Sequence, residues 1–433
     1  MGPRPYHCLS ILAENPKLLC CPLSGREKLG GNDMLEFSSG LSTAVNSKAA
    51  AAECIELALG DASDGCDLLV IHSTVGHNFA QILSAARAAC PKADIVGCTG
   101  SGVIGREGVS ENMRALAVMA ISGEEIAAAS GDGLDSQNSV AIATGVANEL
   151  KAKRDGITVI YCLTTGLDLC GDDVITGIES VFGPEVPIIG ATSADNGKAK
   201  KTFQFHNDQV MDRGIVLVGL ADPSLELIMG IHHGSVPLEG MTFEVTKSDG
   251  NRIIELDGKP AWPALVGKVG LPPETTPSGA MGITGLGVDL SPEDQEAYDN
   301  PQILRVPLVV SDDNQSFLWP VRCAEGTKVV LMQRDEQLIF EGVERMTDRL
   351  DEVLGGRKPV AVFHADCMAR GRLMFDRILK DEIIAKLQYP ICGDTAVPWL
   401  GLYGFSEYAP LSGRNSFHSY TTSLFSLVRK DAA

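Results

Sequence analysis

The sequence predicts an α/β protein of mixed α+β character: two packed domains whose mixed sheets are flanked by helices and contain three repeated strand–helix–strand units. Three observations predict it. First, one pattern recurs: a hydrophobic run ending at a polar side chain, a helix-like stretch, then a second apolar run closing on Gly-x-Thr. The copies are Leu68-Leu69-Val70-Ile71-His72 with Ile95-Val96-Gly97-Cys98-Thr99, Thr158-Val159-Ile160-Tyr161 with Ile188-Ile189-Gly190-Ala191-Thr192, and Ala361-Val362-Phe363-His364 with Ile391-Cys392-Gly393-Asp394-Thr395. Their spacing is that of a strand–helix–strand unit, and ligands of open α/β sheets bind just beyond such strand ends. Second, short segments alternate around turn residues and announce hairpins. Third, amphipathic helices separate the strands. Hairpins among strand–helix–strand units imply mixed sheets, not one purely parallel sheet.

Taken in order, Ser47–Leu59 is alanine-rich with Ile55, Leu57 and Leu59, and predicts a helix before the first strand. Phe79–Ala89 is the helix of the first repeat, stopped by Pro91. Arg114–Ile121 reads as a buried strand and Ser139–Lys151 as a helix. Thr202–Val210 alternates around Asn207-Asp208, a hairpin, and Ile215–Leu220 is a strongly apolar strand. The composition changes at Ala221-Asp222-Pro223, which divides a domain over residues 34–222 from one over 223–433. In the second, Thr242–Thr246 and Arg252–Leu256 flank Lys247–Asn251 as another hairpin, and Glu336–Leu354 is an amphipathic helix ending at Gly355-Gly356. Residues 270–301, rich in Gly, Pro, Ser and acids, read as a long surface loop, a length that usually carries function or motion. Residues 1–33 read as an extension outside the fold, with Met34 an alternative start.

The chain has 433 residues, 44% of them hydrophobic, and a net charge of -20. A surface that acidic repels phosphate backbones, and no basic patch stands out, so nucleic acid is not an expected partner. No apolar run reaches the roughly eighteen residues of a membrane span. The twelve cysteines are scattered, with no Cys-x-x-Cys, which predicts reduced thiols in a cytoplasmic protein.

Each chemical candidate competes with a bland reading. Gly100-Ser101-Gly102-Val103-Ile104-Gly105 matches Gly-x-Gly-x-x-Gly after a strand, but no helix follows to receive a pyrophosphate, so it reads as a glycine-rich loop. Cys367 lies near His364, Asp366 and Arg370, groups that can make a thiol reactive, or it simply packs. Arg370 suits a bound carboxylate because its planar fork matches that group bidentately. The histidines show no dense ligand spacing, so no metal site is predicted. Haem, which needs only one axial histidine and an apolar slot, is compatible with them. Ser193-Ala194-Asp195-Asn196-Gly197 fits a ligand loop and an ordinary turn equally.

Ile188–Asn196, Thr202–Asn207 and Gly214-Ile215-Val216 together resemble the N-terminal half of the FIST domain. Val245-Thr246-Lys247, Glu255–Ala261, Cys367-Met368-Ala369-Arg370 and Gly401–Pro410 resemble its C-terminal half. The chain departs from the family pattern in three places. Gly190–Asp195 reads Gly-Ala-Thr-Ser-Ala-Asp instead of Gly-Gly-Ser-Ala-Gly-Asp, Ser406 replaces the glycine before Glu407, and Val103 stands where a glutamate is expected. The resemblance implies a stand-alone sensory module that binds a small ligand, an amino acid or similar carboxylate, and signals through a partner such as a histidine kinase or cyclase. Some family members are haem proteins that sense nitric oxide and regulate a histidine kinase, which makes haem the alternative cofactor; a thiol enzyme using Cys367 is the alternative activity. The expected ligand contacts are Arg370 and Thr99 for charged groups, Ser193, Asp195 and Asn196 for orienting hydrogen bonds, and Tyr403 and Glu407 along the second half of the pocket.

Overall fold

The structure, a computed structural model, describes residues 34–60, 65–106, 108–281, 284–307, 309–370 and 382–430. The expected extension over 1–33 lies outside the described residues. From Asp33 onward the chain clusters as one compact unit.

The element order shows one plan used three times: strand, helix, strand, helical segment, strand, hairpin, strand. The first unit runs from the strand Glu36–Ser42 to the strand Leu116–Ser122, around the parallel pair Leu68–Thr74 and Asp94–Gly100. The second runs from Ile126–Gly131 to Ile215–Leu220, around Val159–Thr164 and Ile188–Thr192. The third runs from Leu225–His232 to Thr422–Arg429, around Ala361–Cys367 and Trp399–Gly404. Each unit builds the greater part of one six-stranded mixed sheet with its parallel pair inside.

The hairpins are exchanged in a ring. The first unit's hairpin, Val103–Gly105 with Gly108–Ser110, pairs with Trp399–Gly404 of the third. The second unit's, Gln204–His206 with Gln209–Met211, pairs with Asp94–Gly100 of the first. The third unit's, Glu407–Leu411 with Arg414–His418, pairs with Ile188–Thr192 of the second. Hydrogen-bonded sheets therefore bridge the composition change at Asp222-Pro223, which marks the passage from the second unit to the third.

Alternation along the strands explains the layers. Leu68, Val70, Tyr161, Leu163, Phe363 and Ala365 share one core cluster, so the inner faces of the three sheets pack on each other. The outer face of the first sheet, with Leu69 and Ile71, is covered by the helices Ser47–Leu59 and Phe79–Ala89. Ser139–Lys153 and Gly171–Phe182 cover the second sheet, and Glu336–Leu354 the third. Asn46, Asn78 and Asp335 start three of these helices by accepting backbone N–H bonds on their side chains.

The predicted helices and hairpins are found within a few residues of their expected bounds, with two differences. The third Gly-x-Thr run is not a strand: Ile391 and Cys392 lie in the short helix Tyr389–Cys392, with Pro390 in its first turn and Gly393 capping it at φ 56°. The strand that completes the third unit is Trp399–Gly404, and Gly401 takes the place of Gly97 and Gly190. In the parallel registers Gly97 faces Ile71, Gly190 faces Cys162 and Gly401 faces His364. A Cβ on any of the three would sit 1.9, 2.1 or 2.5 Å from the carbonyl oxygen of that partner, so the backbones approach too closely for a side chain.

The second difference is residues 270–301, which hold the helices Pro277–Met281 and Pro292–Tyr298 and the strand Gly285–Asp289. Pro277 and Pro292 stand at the starts of these helices, where the missing N–H costs nothing. Ser291 caps the second helix, and Tyr298 is fully buried. This segment belongs to an eight-stranded sheet, including Ser235–Asp249 and Lys328–Arg334, inserted into the third unit.

Candidate functional site

The C-terminal ends of the three parallel pairs are joined to one another. Thr99 accepts the Phe203 N–H on its hydroxyl at 3.0 Å, and Thr192 accepts the Ser406 N–H in the same way at 3.0 Å. At the third corner the Tyr403 N–H donates to the Gly102 carbonyl at 3.1 Å. The Ala194 N–H donates to the Thr99 carbonyl, and the Ser101 N–H to the Tyr403 carbonyl, both at 2.9 Å. The strand ends thus close into a ring in which each unit is held by the next.

Beside this ring the loop after Thr192 wraps a carboxylate. Asp195 accepts four backbone N–H bonds, from Lys198, Ala199, Lys200 and Lys201, at 2.8–3.3 Å. The wrapping turns the loop over Phe203 and opens a cleft of about 220 Å³ lined by Val75, Met113, Asp195, Asn196, Lys198, Lys200, Lys201 and Phe203. Asn196 donates to the Met113 sulfur, and its Oδ1 is buried without a hydrogen-bond partner among the described residues. Lys201 pairs with Asp212 at 3.0 Å and lies over the Phe203 ring, whereas Lys198 and Lys200 are exposed.

On the third unit's side the ring meets a closed polar cluster. Asp366 lies 3.5 Å from His364 and 3.2 Å from the Arg370 Nε, and all three residues are 1% exposed. His364 shares a 2.8 Å hydrogen bond with Thr422. Glu407 accepts from the Thr421 hydroxyl at 2.7 Å, and burial pushes its carboxyl well above the usual carboxylate range. Cys367, buried beside Glu407, is raised well above an ordinary thiol, first by burial and then by that carboxyl.

The structure distributes the expected site residues accordingly. Asp195 and Asn196 line the open cleft. Thr99 and Ser193 lie behind it with their hydroxyls engaged: Ser193 donates to the Thr164 carbonyl and accepts from Gln204, each at 2.8 Å. Tyr403 contributes its backbone to the ring, while Arg370, Glu407 and Cys367 sit in the closed cluster. Ser101 connects the two parts, since its hydroxyl donates to the Asp195 carbonyl and lies 3.4 Å from the Met368 sulfur. Sequence reasoning missed Ser101 and the lysines. The signal for the lysines was present as Lys198-Ala199-Lys200-Lys201, a short basic run in an acidic chain.

Burial and the Glu407 carboxyl hold the Cys367 thiol protonated, the setting of a packed thiol rather than of a thiolate. Among the described residues no group of three or more His, Cys, Asp or Glu is arranged to hold a metal ion. His72, His77, His232, His233, His364 and His418 are buried and each hydrogen-bonded to another part of the chain, half-buried His206 shares a 2.6 Å hydrogen bond with the Ser130 hydroxyl, and none of them lines the Asp195 cleft. Among the described residues no helix is long and apolar enough to cross a membrane.

Polar groups gathered at the C-terminal ends of parallel strands, beside an open cleft, give this chain the layout of ligand-binding α/β proteins. The FIST N domain matches residues 67–259 and the FIST C domain residues 270–410. The chain belongs to the FIST family, whose domains are sensory and signal-transducing. It is 24% identical over 242 residues to an uncharacterized protein of Mycobacterium bovis, covering 56% of this chain, and equally to one of Mycobacterium tuberculosis. The matched region spans 60% of the length of those relatives. An uncharacterized protein of Methanocaldococcus jannaschii is 37% identical over 87 residues, 20% of this chain and 17% of that protein. Among solved structures, cyanuric acid hydrolase from A. caulinodans aligns with a TM-score of 0.28 and 9% identity over 46% of this chain and 72% of its own, a likeness too low to carry an argument.

Proposed function

We propose that this chain is a sensor whose ligand, an amino acid or similar small carboxylate, binds the cleft between Val75 and the Asp195 loop and is reported to a partner protein such as a histidine kinase or cyclase. One observation carries the reading. In a chain of net charge -20, three lysines, an aromatic ring and the buried, unpartnered Oδ1 of Asn196 line one cleft. Lysine ammonium groups attract a carboxylate, and Asn196 Oδ1 offers an acceptor to an α-ammonium group. At about 220 Å³ the cleft is smaller than the roughly 300–1,000 Å³ of drug-sized sites, which suits a small metabolite. The cleft joins the first unit to the loop of the second, so a ligand bridging them would favour one relative setting of the two.

A thermal-shift panel of free amino acids and carboxylates tests the reading against the Lys198→Ala/Lys200→Ala variant. A saturable rise with one chemical class, lost in the variant, is the expected result. A ligand at a hundred times its Kd stabilises by about 2.7 kcal/mol, well within detection. A rise that survives the double substitution moves the site elsewhere, and a flat panel removes the small-carboxylate reading.

A further inference from the structure

The first unit carries a second feature, at the opposite ends of the strands that lead to the cleft. Cys66 stands just before the strand Leu68–Thr74, and Cys90 caps the helix Phe79–Ala89 through its N–H to the Ala86 carbonyl. The Asp94 N–H donates to the Asp67 carbonyl at 2.9 Å, which fixes the two segments side by side. Their sulfurs lie 3.6 Å apart, with the Cys66 thiol donating to Cys90. Both side chains are buried, but Asp67, Pro91 and Lys92 next to them are exposed, so the pair lies at the rim of the outer core.

We infer that Cys66 and Cys90 are a redox modification site, a dithiol that a hydroperoxide oxidises to a reversible disulfide. The two thiols are inequivalent, as this chemistry requires. The hydrogen bond from Cys66 stabilises a thiolate at Cys90, and the Arg87 guanidinium, held on the carbonyls of Cys90, Pro91 and Ala93, adds positive charge beside it. Together they lower Cys90 to about 7, while the same hydrogen bond and burial raise Cys66. By contrast, burial pushes Cys98 and Cys170 up to about 12, the behaviour of packed, unreactive thiols.

The chemistry balances. The Cys90 thiolate attacks one peroxide oxygen, the O–O bond breaks, and the departing oxygen takes a proton to leave as water or an alcohol, giving a sulfenic acid at Cys90. The Cys66 sulfur then attacks the Cys90 sulfur, the S–O bond breaks, and the hydroxide leaves as water with the Cys66 proton. Two thiols lose two electrons and the peroxide gains them.

The test uses the full chain under native conditions, treated with hydrogen peroxide, then alkylated, digested and mapped by mass. The expected product has lost two hydrogens, carries a Cys66–Cys90 cross-link located by fragment masses, and is restored by dithiothreitol. In Cys66→Ser, Cys90 is expected to be captured by dimedone at least ten-fold faster than any other described cysteine. Recovery of Cys66 and Cys90 as fully alkylated residues after peroxide treatment overturns the inference. So does a cross-link that joins either of them to a different cysteine. Mapping of the unsubstituted chain decides the matter even where Cys66→Ser fails to fold.

Discussion

The most consequential single residues here are neutral where their type is usually switchable. Burial lowers His72 and His418 to about 3, His233 to about 4 and His232 to about 2, the last with a further push from neighbouring His233. Each folded value lies below the unfolded value near 6.5, so the unfolded chain binds more protons between them. Their contribution to stability is therefore present above pH 6.5 and lost as pH falls toward 4, on the order of 1 kcal/mol per pH unit for each ring. Glu407 works in the other direction, because its raised carboxyl favours the fold at low pH and opposes it as pH rises through its folded value. His77, His206 and His364 are lowered as well, and Asp172 joins Glu407 among the raised carboxyls, so the rings outnumber the carboxyls and urea midpoints are expected to fall steadily from pH 7 to pH 5. A flat profile across that range would show that these histidines are not buried as described. At this scale part was readable in sequence: Gly97 and Gly190 close the apolar runs of the repeat, and both lie in strands where a partner backbone approaches closely. The role of Ser101 was not readable, because its partners Asp195 and Met368 stand on other units, and that of Gly401 was hidden because the strand Trp399–Gly404 was not recognised as the partner of Ala361–Cys367.

At the scale of elements, the lesson is the exchanged hairpin. Tyr408 comes from the third unit, yet its hydroxyl bonds Thr164 of the second at 3.0 Å and its ring packs on Phe417 at 4.8 Å between centroids. It fills the core on the outer side of the second sheet. Tyr408→Ala should cost about 3–5 kcal/mol, the usual range for truncating a buried aromatic residue. Hydrogen exchange should then accelerate first in Val159–Thr164 and Ile188–Thr192, with Ala361–Cys367 keeping its protection. Equal loss in the second and third units would contradict the exchange. Sequence reasoning found the helices and hairpins because period and turn chemistry are local signals. It mistook Ile391–Thr395 for a strand because a short apolar run has no decisive period, and Trp399–Gly404 was the better candidate only once paired with Val362–Cys367.

For the whole molecule, the ring of hairpins makes the three units depend on one another. Residues 34–222 alone would leave the second sheet without Glu407–His418 and would strand the first unit's hairpin, which among the described residues takes its sheet partner from Trp399–Gly404. Open edges and an uncovered inner face follow. That segment, expressed by itself, is expected to give no cooperative unfolding transition, whereas the full chain gives one. Calorimetry of the two would decide, and a sharp transition from residues 34–222 would mean that the first two units fold without the third.

The sequence by itself determined the mixed α/β class, the recurring strand–helix–strand unit, the family, and the acidic character that makes the Lys198–Lys201 cleft exceptional. These are carried by neighbours in the chain: alternation, caps, glycines and composition. Only the tertiary structure decided which sheet each hairpin joins, that Cys66 meets Cys90, and that the expected site residues divide between an open cleft and a closed cluster. Those facts depend on contacts between segments as far apart as Thr192 and Ser406, where the strand-edge N–H and C=O groups of one unit find their partners only in another.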